Sequence, residues 1–126
     1  MNKHGTFQWN ELMTRDAETA KAFYEKTLGW TFSSMPMENS TYWIANVDDQ
    51  PAGGIFTMDS PDFEGIPEHW FCYIAVDDID ARLKLAEGAG ATILRAPFDV
   101  PGVGRIAILK EPGGAAVGWY TPSNMG

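Results

Sequence analysis

Trp9-Asn10-Glu11-Leu12-Met13-Thr14-Arg15-Asp16, followed at helical distance by Phe23-Tyr24 and closed by Leu28-Gly29-Trp30, is the stretch that decides the fold. Its first part, from Thr6 to Met13, is rich in β-friendly residues and reads as a strand. Asp16 is a good helix N-cap, because its carboxylate can accept hydrogen bonds from the free N–H groups of a first helical turn. Ala17, Ala20, Phe23, Tyr24 and Leu28 then recur at helical spacing, which predicts a helix over 17–28. Gly29 stands where a left-handed glycine ends such a helix.

Outward from that stretch the first half completes itself. Trp30-Thr31-Phe32 and Tyr42 to Val47 read as strands, Asp48-Asp49-Gln50-Pro51 as a turn, and Ala52 to Met58 as another strand. Residues 59–68 form a Pro/Gly/acid connector. The order then restarts: a strand over Trp70–Val76, a helix capped by Asp78 and ended by Gly88 and Gly90, and a strand at Thr92–Leu94. Pro97–Gly104 reads as a loop, Ile106–Leu109 as a strand, Glu111–Gly114 as a turn and Ala116–Tyr120 as the last strand. Trp9, Leu12 and Asp16 match Phe71, Ile74 and Asp78 at one constant offset, and Gly54-Ile55-Phe56 matches Gly118-Trp119-Tyr120 after a small insertion. The chain is therefore read as two βαβββ modules, about 5–58 and 68–121, in one α+β domain.

Composition narrows the function. Of 126 residues, 44% are hydrophobic and 21% charged, which can bury a core without staples. Seventeen acidic against nine basic residues give a formal net charge of −8. Such a chain repels phosphate, so neither nucleic acid nor an anionic membrane is an expected partner. The single Cys72 excludes an intrachain disulfide and a multi-cysteine metal site. No apolar run reaches the roughly 18 residues of a membrane helix, and the N-terminus lacks the apolar stretch of a signal peptide, so a cytoplasmic protein is expected. No phosphate-binding loop, dinucleotide fingerprint or nucleophile elbow is found.

The segment Trp9–Asp16 with Phe23-Tyr24 and Leu28-Gly29-Trp30 resembles the first module of the vicinal oxygen chelate superfamily, which includes glyoxalase I, bleomycin-resistance proteins and extradiol dioxygenases. Tyr73–Ala81 and Lys110–Ala115 resemble its second module, so the resemblance covers about residues 5–121. It implies a cup-shaped mixed sheet with helices on the outer face, a ligand inside the cup, and assembly as a homodimer. It also implies a divalent metal held by four His or Glu side chains. Carried onto this chain, those positions fall at Trp9, Gly54, Phe71 and Gly118, which offer no side-chain lone pairs to such an ion. A metal site is accordingly not expected, no cofactor is expected, and the missing ligands argue against a family-type lyase or dioxygenase.

Strand alternation suggests what lines the cup instead. With Trp9 inward, Phe7, Glu11 and Met13 follow, while Leu12 faces the helix. With Phe71 inward, His69, Tyr73 and Ala75 follow. The last strands direct Gly54, Phe56, Gly118 and Tyr120 inward. Gly54 and Gly118 either leave room for a ligand or let aromatic rings fill the space. Glu11 is costly to bury unpaired, so it is solvated by an open cavity, paired with a base such as Arg105, or raised in pKa. It could anchor a cation or act as a general base. Arg105 could bind an anion at the mouth, and His69 sits at the rim. Among the tryptophans, some are expected at the module seam or a dimer interface. The expected function is metal-free binding of a small aromatic or cationic molecule. The alternative is a lyase, isomerase or oxygenase-type enzyme using Glu11 or unconventional metal ligands; an accessory domain with a plugged cup is a third reading.

Overall fold

A computed structural model of the chain describes residues 3–37 and 40–123. It contains eight strands of mixed sense and two α-helices: β1 (Phe7–Thr14), α1 (Ala17–Leu28), β2 (Thr31–Pro36), β3 (Thr41–Val47), β4 (Gln50–Thr57), β5 (His69–Ala75), α2 (Ile79–Gly88), β6 (Thr92–Val100), β7 (Gly104–Lys110) and β8 (Ala116–Pro122). A 3-10 turn at Pro61–Phe63 interrupts the connector between β4 and β5. The βαβββ order occurs twice. By compactness the chain divides into one unit of residues 9–71 and a second made of residues 72 onward together with the first eight.

In the first unit the strands run β2-β3-β4-β1, with β1 and β4 parallel and the two outer pairs antiparallel. Adjacent parallel strands need a long connection, and α1, β2 and β3 supply it between β1 and β4. Asp16 caps α1 by accepting from Thr19 N–H at 3.0 Å and from the Thr19 hydroxyl at 2.7 Å, which holds its carboxyl below the usual carboxylate range. Gly29 ends the helix at φ 73°, a backbone region that other side chains resist. Ala17 is the buried residue of α1, and Phe23 stays exposed. Lys21 fixes the helix to β3 by setting its ammonium 3.1 Å from the centre of the Trp43 ring. Glu68 anchors the connector: it accepts from the Thr14 hydroxyl and from Arg15 N–H at 2.8 Å, and these bonds lower its carboxyl's pKa.

The second unit runs β5-β8-β7-β6, with β5 and β8 parallel. Here the helix is well bedded. Ile79, Leu83 and Ala86 of α2 pack with Val76, Ala107, Leu109 and Val117, and Ile74, Ala91, Ile93 and Trp119 extend the cluster. The Asp78 carboxylate accepts from Ala81 N–H at 3.2 Å, and the helix runs through Gly88 to a cap at Ala89. The first residues belong to this unit: Gly5 N–H donates to Ala75 O at 2.7 Å, and Ala75 N–H to Thr6 O at 2.9 Å. Asp77 is pinned by Arg82 Nε at 2.8 Å and Nη2 at 2.9 Å, which drives its carboxyl far below the ordinary range.

Two loop boundaries differ from the reading of the sequence. The β3–β4 turn consists of Asp48 and Asp49 alone, at φ 50° and 65°, so Gln50 and Pro51 already belong to β4. A two-residue turn with both residues left-handed matches the strands' twist and needs no further linker. Pro97–Val100, expected in a loop, continues β6. β6 has a partner only on its β7 side within the unit, so the N–H that Pro97 lacks is not missed. Register shifts between Ile93 and Phe98 accommodate it.

Candidate functional site

The parallel pairing sets Glu11 of β1 opposite Gly54 of β4, and the antiparallel pairing sets Ile44 of β3 opposite the same glycine. Tyr42 lies two residues along from Ile44 and so shares that face. Its phenol reaches over Gly54: a Cβ built on Gly54 would overlap the Tyr42 hydroxyl and ring. The glycine is therefore a fitting for this ring. Of the two outcomes the sequence left open at Gly54, an aromatic ring from the same module fills the space.

The phenol is held by an indole and stands beside a carboxylate. Trp9 Nε1 donates to Tyr42 Oη at 2.7 Å. Burial, with the negative charge of Glu11 second, pushes the phenol's pKa well above its normal value. Glu11 itself is 8% exposed. Of the three solutions the sequence offered for it, pairing with Arg105 is not the one taken, because that guanidinium is engaged by Asp80 and Asp99. Indole, phenol and carboxylate gather in the first module, a grouping that can serve contact with a cation or proton transfer.

The other expected site residues take varied positions. Phe56 makes an edge contact with Phe63 at 5.8 Å, and Phe71 is buried with His69 at 6.2 Å between ring centres. His69 Nδ1 donates to Pro67 O at 2.7 Å, which fits a side chain that closes a local turn. In the second unit Tyr73 pairs with Gly118 and stands edge-on to Tyr120 at 6.4 Å. Burial raises the Tyr120 pKa. Phe7 is 67% exposed. Arg105 does not stand ready for an anion. Its Nε and Nη2 donate to the two Asp80 oxygens at 2.9 and 3.2 Å, and its Nη1 to Asp99 at 3.2 Å. Asp80 is correspondingly held below the usual carboxylate range.

Every tryptophan has a partner inside its own unit. Trp30 stacks on Tyr24 at 4.7 Å, and Trp70 meets both edge-on while donating from Nε1 to the Tyr24 hydroxyl at 3.2 Å. Trp9 is tied to Tyr42, Trp43 lies under Lys21, and Trp119 packs on the α2 core. Among the described residues, no three His, Cys, Asp or Glu side chains are grouped to hold a metal ion. No helix among them is long and apolar enough to cross a membrane.

Comparison with known proteins places this geometry. CFP32 of Mycobacterium tuberculosis, named as a candidate glyoxylase, is 40% identical over 98% of this chain and 46% of its own length. The anthracycline biosynthesis protein DnrV of Streptomyces peucetius is 31% identical over 89% of this chain and 45% of its own. The chain thus spans about half the length of the curated relatives it matches. Among solved structures, a hypothetical protein from Bacillus halodurans superposes with a TM-score of 0.73 at 13% identity, covering 98% of this chain and 99% of that one. Methylmalonyl-CoA epimerase from Mycobacterium tuberculosis gives 0.66 at 13% identity over 94% of this chain and 88% of its own, a likeness of fold alone. The model of the glyoxalase/bleomycin resistance protein/dioxygenase superfamily matches residues 6–118, and the chain belongs to that superfamily.

Proposed function

We propose that this chain is a small-molecule binding module of the glyoxalase and bleomycin-resistance kind, taking a flat aromatic or cationic ligand without a family-type metal centre. The observation that carries the reading is the Tyr42 phenol over Gly54, held by Trp9 and standing beside Glu11. At the positions where the family resemblance puts metal ligands, Trp9 presents an indole already engaged with that phenol, Gly54 is covered by it, and Phe71 and Gly118 bring no lone pair. These residues do not fit a divalent ion. What they do offer is aromatic surface with one buried carboxylate, suited to stacking and to cation recognition. The names of the DnrV and DauV relatives, from anthracycline biosynthesis, favour the flat aromatic class. Phe7, Phe56, His69, Tyr73 and Tyr120 are the further residues of the proposed binding surfaces, each on its own module, while Arg105 is set aside because Asp80 and Asp99 engage it. Action as a homodimer in the cytoplasm completes the proposal.

Titration of the purified protein with a panel of flat aromatic cations and neutral polycyclic aromatics tests it. Saturable quenching of tryptophan fluorescence is the expected result, and a flat response across the panel overturns the reading.

A second reading has its own support: Glu11 is a buried carboxylate beside a phenol, a setting that suits a general base. On this reading the chain is a metal-independent lyase or isomerase. Turnover that disappears in Glu11→Gln while ligand binding persists would establish it. Stoichiometric metal lost in the same variant would instead overturn the metal-free assignment.

A further inference from the structure

We propose a second small-molecule site on the helix side of the first module: the groove between α1 and β1, which takes an aromatic amine with its ammonium toward Asp16 and Glu68 and its ring along Phe23 and Tyr24. This site is independent of the wall around Tyr42. Neighbouring residues of a strand face opposite sides, so Leu12 and Thr14 look toward α1 while Glu11 and Met13 look away from it.

Three observations carry it. The first is the space. A cavity of about 340 Å³ lies here, within the size range of ligand pockets. Leu12 and Thr14 line it from β1, and α1 lines it with Ala20, Phe23 and Tyr24, which recur along one helix face. The second module shows why the space exists. At the constant offset that matches Asp16 to Asp78, Ala17 and Lys21 answer to Ile79 and Leu83. Those two side chains are buried in the second unit's core, whereas Ala17 is short and Lys21 carries its ammonium to the Trp43 ring.

The second observation is polarity along the groove. Asp16 N–H donates to the Thr14 hydroxyl at 3.2 Å, and that hydroxyl donates to Glu68, so the two carboxylates gather at one end. Phe23 and Tyr24 stand two turns along the helix, roughly 11 Å away by helical rise. The Tyr24 ring is fixed in advance, stacked on Trp30 at 4.7 Å with its hydroxyl accepting from Trp70 Nε1 at 3.2 Å. The third is charge. Asp16 accepts from the Thr19 N–H and hydroxyl, and Glu68 from the Thr14 hydroxyl and Arg15 N–H, one bond to each oxygen. A carboxylate oxygen has two lone pairs, so each can accept again from an incoming N–H. Arg15 lies 3.6 Å from Glu68 and donates from Nη2 to Phe63 O at 2.6 Å. Two carboxylates against one guanidinium leave that end negative, and the bonds from Thr19 and Thr14 keep both acids charged at neutral pH.

Tryptamine, tryptophol and indole-3-acetate share one ring system and differ in charge, so together they test the site. Each is titrated into the protein while its amide and indole N–H resonances are followed. Tryptamine is expected to shift Thr19, Ala20, Phe23 and the Trp70 indole saturably, and to bind about fivefold tighter than tryptophol, the size of an exposed ion pair. Indole-3-acetate should bind more weakly than either. Glu68→Gln keeps the shape and should cut the amine's advantage to about twofold, Asp16 remaining. Ala20→Leu puts a helix-compatible side chain into the cavity and should abolish the shifts. If that variant does not fold, the three probes on wild type and Glu68→Gln carry the test.

Absence of saturable shifts at these residues, equal affinity for amine and alcohol, or an advantage unchanged in Glu68→Gln overturns the inference. Shifts confined to Trp9, Tyr42 and Gly54 assign the amine to the wall, which overturns this site and leaves the binding reading standing. Shifts at Phe23 and Leu28 that grow with protein concentration in the absence of any probe give the groove to a second copy of the chain, and overturn it as well.

Discussion

The two βαβββ modules share a frame and differ in what they use it for. In the second unit, Ile79, Leu83 and Ala86 bury one face of α2 against Val76, Leu109 and Val117. In the first, α1 buries Ala17, leaves Phe23 57% exposed, and is tied down through Lys21 on Trp43. The wall positions reverse this contrast. The first module groups a carboxylate, a phenol and an indole, whereas the corresponding residues of the second are Tyr73, Ile106 and Phe71. One copy of the repeat concentrates apolar packing, the other concentrates polar chemistry. Burying that chemistry requires donors to be supplied one by one, and the Trp9 indole, which donates to Tyr42, is such a donor.

The sharpest way to break the comparison is to truncate one apolar side chain on each helix. Leu83→Ala should cost about 3 kcal/mol, as removal of a fully packed leucine does, and Phe23→Ala less than about 1 kcal/mol. Urea unfolding of the two variants measures the difference, and equal losses would mean that α1 is as well bedded as α2. The caps should behave alike where the cores do not. Asp16→Ala and Asp78→Ala are each expected to lower the melting temperature by a few degrees in a thermal scan.

High pH isolates the first module's phenol. A tyrosine whose pKa is raised on folding contributes stability that is complete below about pH 10, where the unfolded chain's phenols titrate, and that erodes as the pH climbs toward its own folded value. Urea midpoints should therefore fall above about pH 10, and Tyr42→Phe should flatten that limb. Tyr120 supplies a weaker contribution in the second unit. Low pH gives the smallest effect. Asp16 and Glu68 in one unit, and Asp77 and Asp80 in the other, all have lowered pKa values. Their contribution is present above about pH 4 and is lost as the pH drops through the depressed values. Because these groups are exposed, added salt should shrink the acid limb of the melting curve.

Much of this was legible in the residues. Asp16, Gly29 and Asp78 mark helix ends by local hydrogen bonding and backbone preference, which need no knowledge of the rest of the chain. Glu11 stood out because a carboxylate amid strand apolars demands an explanation. Tyr42 did not, and the reason is register. From the Asp48-Asp49 turn, regular pairing continues through Val47–Gln50 and Asn46–Pro51, then slips so that Ala45 meets Gly53 and Ile44 meets Gly54. Unslipped pairing would have put Trp43 opposite Gly54 and turned Tyr42 to the other face. A bulge of that kind leaves no compositional mark. Pro97 misled for the opposite reason: it reads as a breaker, but an edge strand does not use its missing donor.

That slip makes Ala52 an unusually consequential alanine, since it is the residue skipped between the pairs Asn46–Pro51 and Ala45–Gly53. Its side chain takes no part in the wall, yet its presence as a spacer decides which ring of β3 reaches the carboxylate. A change of count there rotates the whole ledge by half a turn, exchanging a hydroxyl-bearing ring for an indole without altering a single other letter. Within this architecture the residue count at a hairpin end thus decides which face a ring occupies as firmly as the identity of the ring decides what it can do there.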